Sequence, residues 1–176
     1  MRLRFLIVLL ACLLLLPITT HAGTGVVARY VPKGEAVGKG RLSFLFWDVY
    51  DATLYAPEAM WQPTAPYALS IAYLRALKGE AIAKRSIEEI QKLGFTDDAK
   101  TEEWYQTMER IFPDVDEGFI LTGVRDETGR TLFYKQDIRI GIIDDPEFAD
   151  WFFGIWLDEN TSEPKLRNQL LGIPGK

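Results

Sequence analysis

The chain is expected to fold as an α+β domain: an open-faced sandwich in which a mostly antiparallel β-sheet is covered on one face by a layer of helices. Three observations predict this. Apolar and aromatic runs of strand character open the domain. Two segments with helical spacing follow, at 79–94 and 97–112, and then come three short runs joined by tight turns. Two further helical segments close the chain, at 145–157 and beyond Ser162.

The organising stretch is Gly38–Pro57, GKGRLSFLFWDVYDATLYAP. It carries Leu42, Phe44, Phe46, Trp47, Val49, Tyr50, Leu54 and Tyr55, with no Gly or Pro between Gly40 and Pro57. Branched and aromatic residues suit a pleated, half-buried surface, so the stretch predicts one long strand or two end-to-end strands. The phase of the apolar positions changes near Phe46-Trp47, which predicts a bend or bulge there. Residues 23–37 read as an exposed N-terminal strand or arm. The prolines of 57–66 mark a loop. Tyr67–Leu77 reads as a second core strand, with Arg75 near its end.

Ala83, Ile87, Ile90 and Leu93 form an apolar stripe on the first helix. Glu80 with Lys84 and Glu88 with Lys92 stand in the favourable i,i+4 order on its wet face, and Gly94 ends it. Asp97-Asp98 can cap the second helix, and Pro113 stops it after Phe112. Runs at 119–124, 131–135 and 138–143, with turns at Glu127–Arg130 and Gln136-Asp137, predict a meander. Asp145-Pro146 has the cap-then-proline order of a helix start. Phe148, Phe152, Ile155 and Trp156 make that helix's apolar stripe, and Trp151 and Phe153 widen it, so it should be buried on most sides. Ser162 is read as the cap of a last helix ended by Gly172.

Residues 1–22 are read as a secretory signal peptide and 23–176 as the domain. Arg2 and Arg4 precede an apolar run from Phe5 to Ile18 broken only by Pro17, and Thr20-His21-Ala22 offers small residues for cleavage. Cys12 lies inside the apolar run rather than at its end, which argues against a lipoprotein. A periplasmic or secreted domain follows as the expectation, with a membrane association only through that segment if it stays uncleaved. The domain is one core's worth of chain, expected to be a monomer. The net charge of −5 becomes −7 without Arg2 and Arg4, which disfavours nucleic acid as a partner. The single Cys (Cys12) and single His (His21) both lie in the leader, so the domain has neither. That excludes Ser-His-Asp and Cys-His nucleophile systems, and zinc or haem ligation through those residues. The Asp114–Gly118 run lacks the glycine and twelfth-position Glu of a calcium loop. No metal and no cofactor are expected.

Four segments in order, RLSFLFWDVYDATLYAP, LKGEAIAKRSIEEIQKLG, IFPDVDEG and GIIDDPEFADWFFGIWLDENTSEPKLRNQLLG, make the chain resemble the chalcone isomerase-like family, in its short secreted bacterial branch. The resemblance implies the sheet-and-helix-layer fold already read from the residues. It implies less about activity. The family's enzymes use an Arg and a Thr near the first long strand, and a Tyr, Lys and Asn on and before the first helix. In ungapped register the Thr falls at Tyr50, the Tyr at Ile82, the Lys at Arg85 and the Asn at Glu89. The Arg falls at Gly38, or at Arg41 if three residues are skipped. Ile82 removes a hydroxyl, and Glu89 places a negative charge where a neutral donor stood. Stabilising a developing oxyanion is usually the largest catalytic contribution, so chalcone isomerase activity is not expected.

Other members of the superfamily bind fatty acids between sheet and helices, through a strand Arg and a nearby Tyr. By that resemblance Arg75 is the candidate carboxylate contact, with Tyr50, Tyr55 and Tyr73 as candidate tyrosines; Tyr50 and Tyr55, five apart, should face opposite sides of a regular strand. The leading expectation is a non-catalytic binder of a small hydrophobic ligand such as a fatty acid. The alternatives are an isomerase or intramolecular lyase on another substrate, using Arg41, Tyr50 and Arg85, and a protein-interaction module of the cell envelope.

Overall fold

The computed structural model describes residues 24–174, so the proposed signal peptide lies outside the described residues. The elements run α1 (Thr24–Tyr30), β1 (Gly34–Phe44), β2 (Trp47–Pro57), β3 (Tyr67–Tyr73), α2 (Gly79–Lys92), α3 (Asp98–Ile111), β4 (Ile120–Arg125), β5 (Thr131–Lys135), β6 (Ile138–Ile143), α4 (Pro146–Leu157) and α5 (Pro164–Leu170). The six strands form one sheet in the order β1-β2-β3-β4-β5-β6, every neighbouring pair antiparallel. This is the predicted α+β architecture.

The organising stretch is a hairpin and not a long strand. Phe44 pairs with Trp47 around a turn at Leu45-Phe46, and Leu45 has φ 55°. The phase change near Phe46-Trp47 is the turn itself. The segment before it is helix α1 followed by the start of β1, in place of the expected arm. A register shift at Leu42/Ser43 also brings Asp48 and Asp51 to one side, where both hold Arg41, at 2.7 and 2.6 Å.

Strand alternation divides the core. Tyr67, Leu69, Ile71 and Tyr73 of β3 and Phe133 of β5 belong to the main core with α2, α3, α4 and α5. Ala68, Val124, Leu132 and Tyr134 face the other way and meet Val26, Val27 and Val31 at α1, where Tyr134 donates a hydrogen bond to Tyr30 at 2.6 Å. One short helix therefore shields the face opposite the main layer.

The helix ends follow their caps in three cases. Asp97 accepts from the Lys100 amide, Asp145 from the Glu147 amide with Pro146 in the first turn, and Gly94 takes φ 108° after α2. α2 starts without a local cap; Asp114, from the loop after α3, accepts from the Gly79 amide at 3.0 Å and pairs with Lys78. α5 departs from expectation: Glu163 precedes it, and Ser162 instead donates to Glu89 at 2.5 Å. The α5 end rests on β1, where a Cβ at Gly38 would overlap the Gln169 and Leu170 carbonyls.

Candidate functional site

Between the β1–β3 end of the sheet and α2, α4 and the segment ahead of α5 lies a cavity of about 410 Å³. Its floor is Leu42, Val49, Ile71 and Leu121 from the strands. α2 contributes Ala81 and Ile82, and Phe112, Phe152, Ile155 and Trp156 close the far side. The lining is thus mostly aliphatic and aromatic. The polar lining groups are Tyr50 and Tyr73 on neighbouring strands, Arg85, Ser86 and Glu89 on α2, and Ser162 and Glu163 ahead of α5.

Tyr50 and Tyr73 are paired across β2 and β3, rings edge to face at 6.1 Å. The Tyr50 hydroxyl accepts from the Trp156 indole N–H at 2.9 Å, which leaves its own proton to donate. Among the described residues the Tyr73 hydroxyl has no hydrogen-bond partner. Burial holds the Tyr50 phenol protonated well above its ordinary range; the Trp156 hydrogen bond opposes this and the Glu163 and Glu89 charges reinforce it. Burial, then Tyr50, does the same to Tyr73. Both phenols are therefore neutral donors at physiological pH.

Glu89 is the unusual group. Its side chain is 8% exposed, and it is met by Arg85 at 2.5 Å, Lys92 at 3.0 Å and Ser162 at 2.5 Å. Burial pushes its carboxyl up, but the hydrogen bonds from Ser162 and Lys92 and the Arg85 charge outweigh that and leave it below the ordinary carboxylate value. Lys92 thus answers Glu89 and not Glu88, which pairs with Arg85 at 3.3 Å. With Ile82, Ser86 and Glu89 spaced i, i+4, i+7, the cavity face of α2 is a mixed stripe beside the apolar one.

The four carried-over positions Tyr50, Ile82, Arg85 and Glu89 all lie on this lining. Position 38 does not, because α5 covers it, and Arg41 is exposed on the hairpin in its pairs with Asp48 and Asp51. Arg75 stands apart from the expected role. β3 ends at Tyr73, so Arg75 falls beyond the strand; it is exposed and lies over the Trp47 ring at 5.3 Å, outside the cavity lining. Tyr55 packs on the α1 face and borders a shallow depression with Val27 and Val31. The sheet thus brings Tyr50 and Tyr73 together and separates Arg75 and Tyr55 from them.

Sequence reasoning missed Glu89 as a buried carboxylate, and missed Ser162 and Glu163. The i, i+4, i+7 stripe was the available signal for Glu89; Ser162 becomes relevant only through a contact 73 positions away. Of the aromatic run on α4, Phe152 and Trp156 line the cavity, Phe153 is packed under Tyr67, and Trp151 lies against Phe95. No cluster of three His, Cys, Asp or Glu side chains suited to a metal occurs among the described residues, and none of their helices is long and apolar enough to cross a membrane.

Comparison with known proteins agrees with this frame. A protein of Haemophilus influenzae, described as uncharacterized, is 30% identical over 139 residues, covering 78% of this chain and 68% of that protein. The crystal structure of a fatty-acid binding protein of Arabidopsis thaliana superposes with a TM-score of 0.63 at 12% identity, over 80% of this chain and 87% of that one. At that identity the likeness is one of fold. The profile of the chalcone isomerase-like family matches residues 36–172, from the start of the hairpin to the glycine after α5, and the chain belongs to that family.

Proposed function

We propose that the chain is a non-catalytic binding protein that holds a small, mostly apolar ligand between the sheet and the helix layer, with a fatty acid as the first candidate. The observation that carries this is the cavity of about 410 Å³, apolar on most of its wall with its polar groups few and grouped. Pockets for small ligands have this size and composition. The likeness in fold to a fatty-acid binding protein supports the same reading.

The polar groups suggest how a head group is met. The Tyr50 and Tyr73 hydroxyls can donate to a ligand oxygen. A carboxylate would also draw on Arg85, and to do so it must share that guanidinium with Glu88 and Glu89. The features against isomerase chemistry are those of the lining: Ile82 offers no hydroxyl, Glu89 offers a charge already bound, and the backbone of α5 occupies the space over Gly38. Export to the periplasm or beyond is part of the proposal through residues 1–22; N-terminal sequencing of the protein recovered from its host is expected to begin near Gly23.

The test is native mass spectrometry of the purified protein with added dodecanoate, alongside extraction of co-purified lipid. One equivalent bound, lost in Ile82→Trp, is the expected result. No bound species by either route, with an environment-sensitive apolar dye also failing to bind, overturns it. The presence of both Tyr50 and Arg85 on the cavity wall favours a second reading, an isomerase acting on a different enone. Turnover of α,β-unsaturated ketones that disappears in Tyr50→Phe would select that reading over the first.

A further inference from the structure

The β1–β2 hairpin ends in four consecutive large apolar residues that are mostly exposed to solvent. Phe44, Leu45, Phe46 and Trp47 are 69, 77, 98 and 62% exposed. Single exposed apolar side chains are ordinary on a protein surface; a contiguous set is not. Local backbone chemistry does not explain the choice either. Leu45 sits at φ 55°, in a hairpin turn where Gly or Asn is the undemanding residue.

The hairpin also projects. β2 pairs with β3 from Tyr50 onward, and Leu74 beyond β3 still donates its amide to the Val49 carbonyl at 3.0 Å, so Asp48 and Trp47 overhang the neighbouring chain by two residues, about 7 Å. That is on the order of the 5–10 Å to which interfacial segments enter a bilayer. The surroundings of the tip are matched to such a boundary. Trp47 carries the Arg75 guanidinium over its ring at 5.3 Å, and none of the ion pairs among the described residues involves Arg75. A tryptophan with a cation beside it suits the level of the lipid phosphates. The carboxylates at the neck, Asp48 and Asp51, are both engaged by Arg41. Finally, Leu42, Phe44 and Val49 of this hairpin also line the cavity, so one apolar surface runs from the tip into the interior.

We propose that the Phe44–Trp47 tip inserts into the interfacial region of a phospholipid bilayer and sets the mouth of the cavity against the membrane surface. Apolar burial drives the insertion, and Arg75 contacts lipid phosphate. The acidic balance of the chain makes a zwitterionic surface the better fit. An apolar ligand could then pass between bilayer and cavity along the hairpin. The insertion itself rests on the tip and holds whatever the cavity carries.

The experiment uses the full chain and phosphatidylcholine vesicles, plain or with brominated acyl chains. Wild type is expected to co-sediment with the vesicles and to lose Trp emission to bromine. Trp47→Phe should still sediment but lose most of that quenching, because Trp104 and Trp156 are buried, and the half-buried Trp61 and Trp151 pack on Tyr67 and Phe95 and not at the tip. Leu45→Asp/Phe46→Asp should weaken partitioning by about tenfold or more and abolish the quenching. Neither residue lines the cavity, so this variant should still take up dodecanoate from solution as wild type does, which shows it folded and separates the result from the cavity reading. Sedimentation without Trp47 quenching, which the apolar segment 5–18 could produce, overturns the proposal. So does wild type that forms dimers in solution, dissociated by Leu45→Asp/Phe46→Asp, with no vesicle binding.

Discussion

The two ends of the interface between sheet and helices are built from the same kinds of element and have opposite textures. At the β5–α3–α4 end it is solid with rings. Phe148 stacks on Phe152 at 5.1 Å, meets Trp104 edge-on at 5.4 Å, and Phe133 meets Phe112 and Phe152 at 4.9 and 5.3 Å. At the β1–β3 end the strands present Leu42, Val49 and Ile71, and α2 presents Ala81, Ile82 and Ser86. α4 still reaches the strands there, with Trp156 donating to the Tyr50 hydroxyl at 2.9 Å, but the short side chains beside that contact leave space unfilled. A cavity is thus left by side-chain volume and not by a gap in the fold, and the solid end supplies the rigidity that lets the open end stay open.

The largest expected effect breaks the solid end. Phe148 is fully buried, and Phe148→Ala is expected to lower unfolding free energy by about 3–5 kcal/mol in a denaturant titration. A loss near 1 kcal/mol or less would mean that the ring cluster is loosely packed, and the contrast would fail. The matching change at the open end is Ile82→Trp, which adds volume where space exists. Its stability should stay within about 1 kcal/mol of wild type. Its affinity for dodecanoate should fall by about tenfold or more, read by dye displacement. Retained affinity would place the ligand elsewhere.

Glu89 sharpens the contrast, since a charge buried beside a cavity has no counterpart in the ring cluster. Its folded carboxyl titrates below its ordinary value near 4.5, so its contribution is present above that value and is lost as pH falls through the lower folded one. Arg85 and Lys92 are half-exposed and screened, so Glu89→Gln should cost about 1 kcal/mol near neutral pH. The difference in melting temperature between wild type and variant should narrow as pH falls below about 4.5 and through the lower folded value. A difference unchanged across that range would show that the amide fails for shape and not for charge.

What was legible in the sequence follows from how local each signal is. The caps at Asp97 and Asp145-Pro146, the stop at Gly94 and the spacing of the meander act within a few residues, and the structure has them where they were read. The β1–β2 turn was illegible because Leu45-Phe46 has no turn chemistry and its apolar residues continue the strand pattern on both sides. Helix α1 depends on Val26, Val27 and Val31 meeting strands far along the chain, with β-branched residues that favour a strand when read alone. Tyr50 and Tyr55 were separable by strand parity alone. Glu89 was not, because Ser162 arrives from 73 positions away and helix spacing suggested Glu88 for Lys92. Parity also says nothing about Arg75, which lies after the strand has ended.

That last residue gives the smallest expected effect and a direct check on the cavity's chemistry. The family resemblance assigns Arg75 to a ligand carboxylate; the geometry puts it over Trp47, outside the lining. Arg75→Ala should therefore leave dodecanoate affinity within about twofold of wild type. It removes a solvent-exposed cation–π contact, so the stability change should be about 0.5–1 kcal/mol. The Trp47 emission should shift as the guanidinium leaves its face. A tenfold loss of affinity would require the ligand to reach past the hairpin to Arg75, and the polar end of the site would then be at the mouth by β3 and not at Tyr50, Tyr73 and Arg85. If affinity holds in Arg75→Ala and falls in Tyr73→Phe, the head group lies against the two tyrosines. The open end would then work by neutral donors in an apolar wall, with the guanidinium free for whatever meets the hairpin tip.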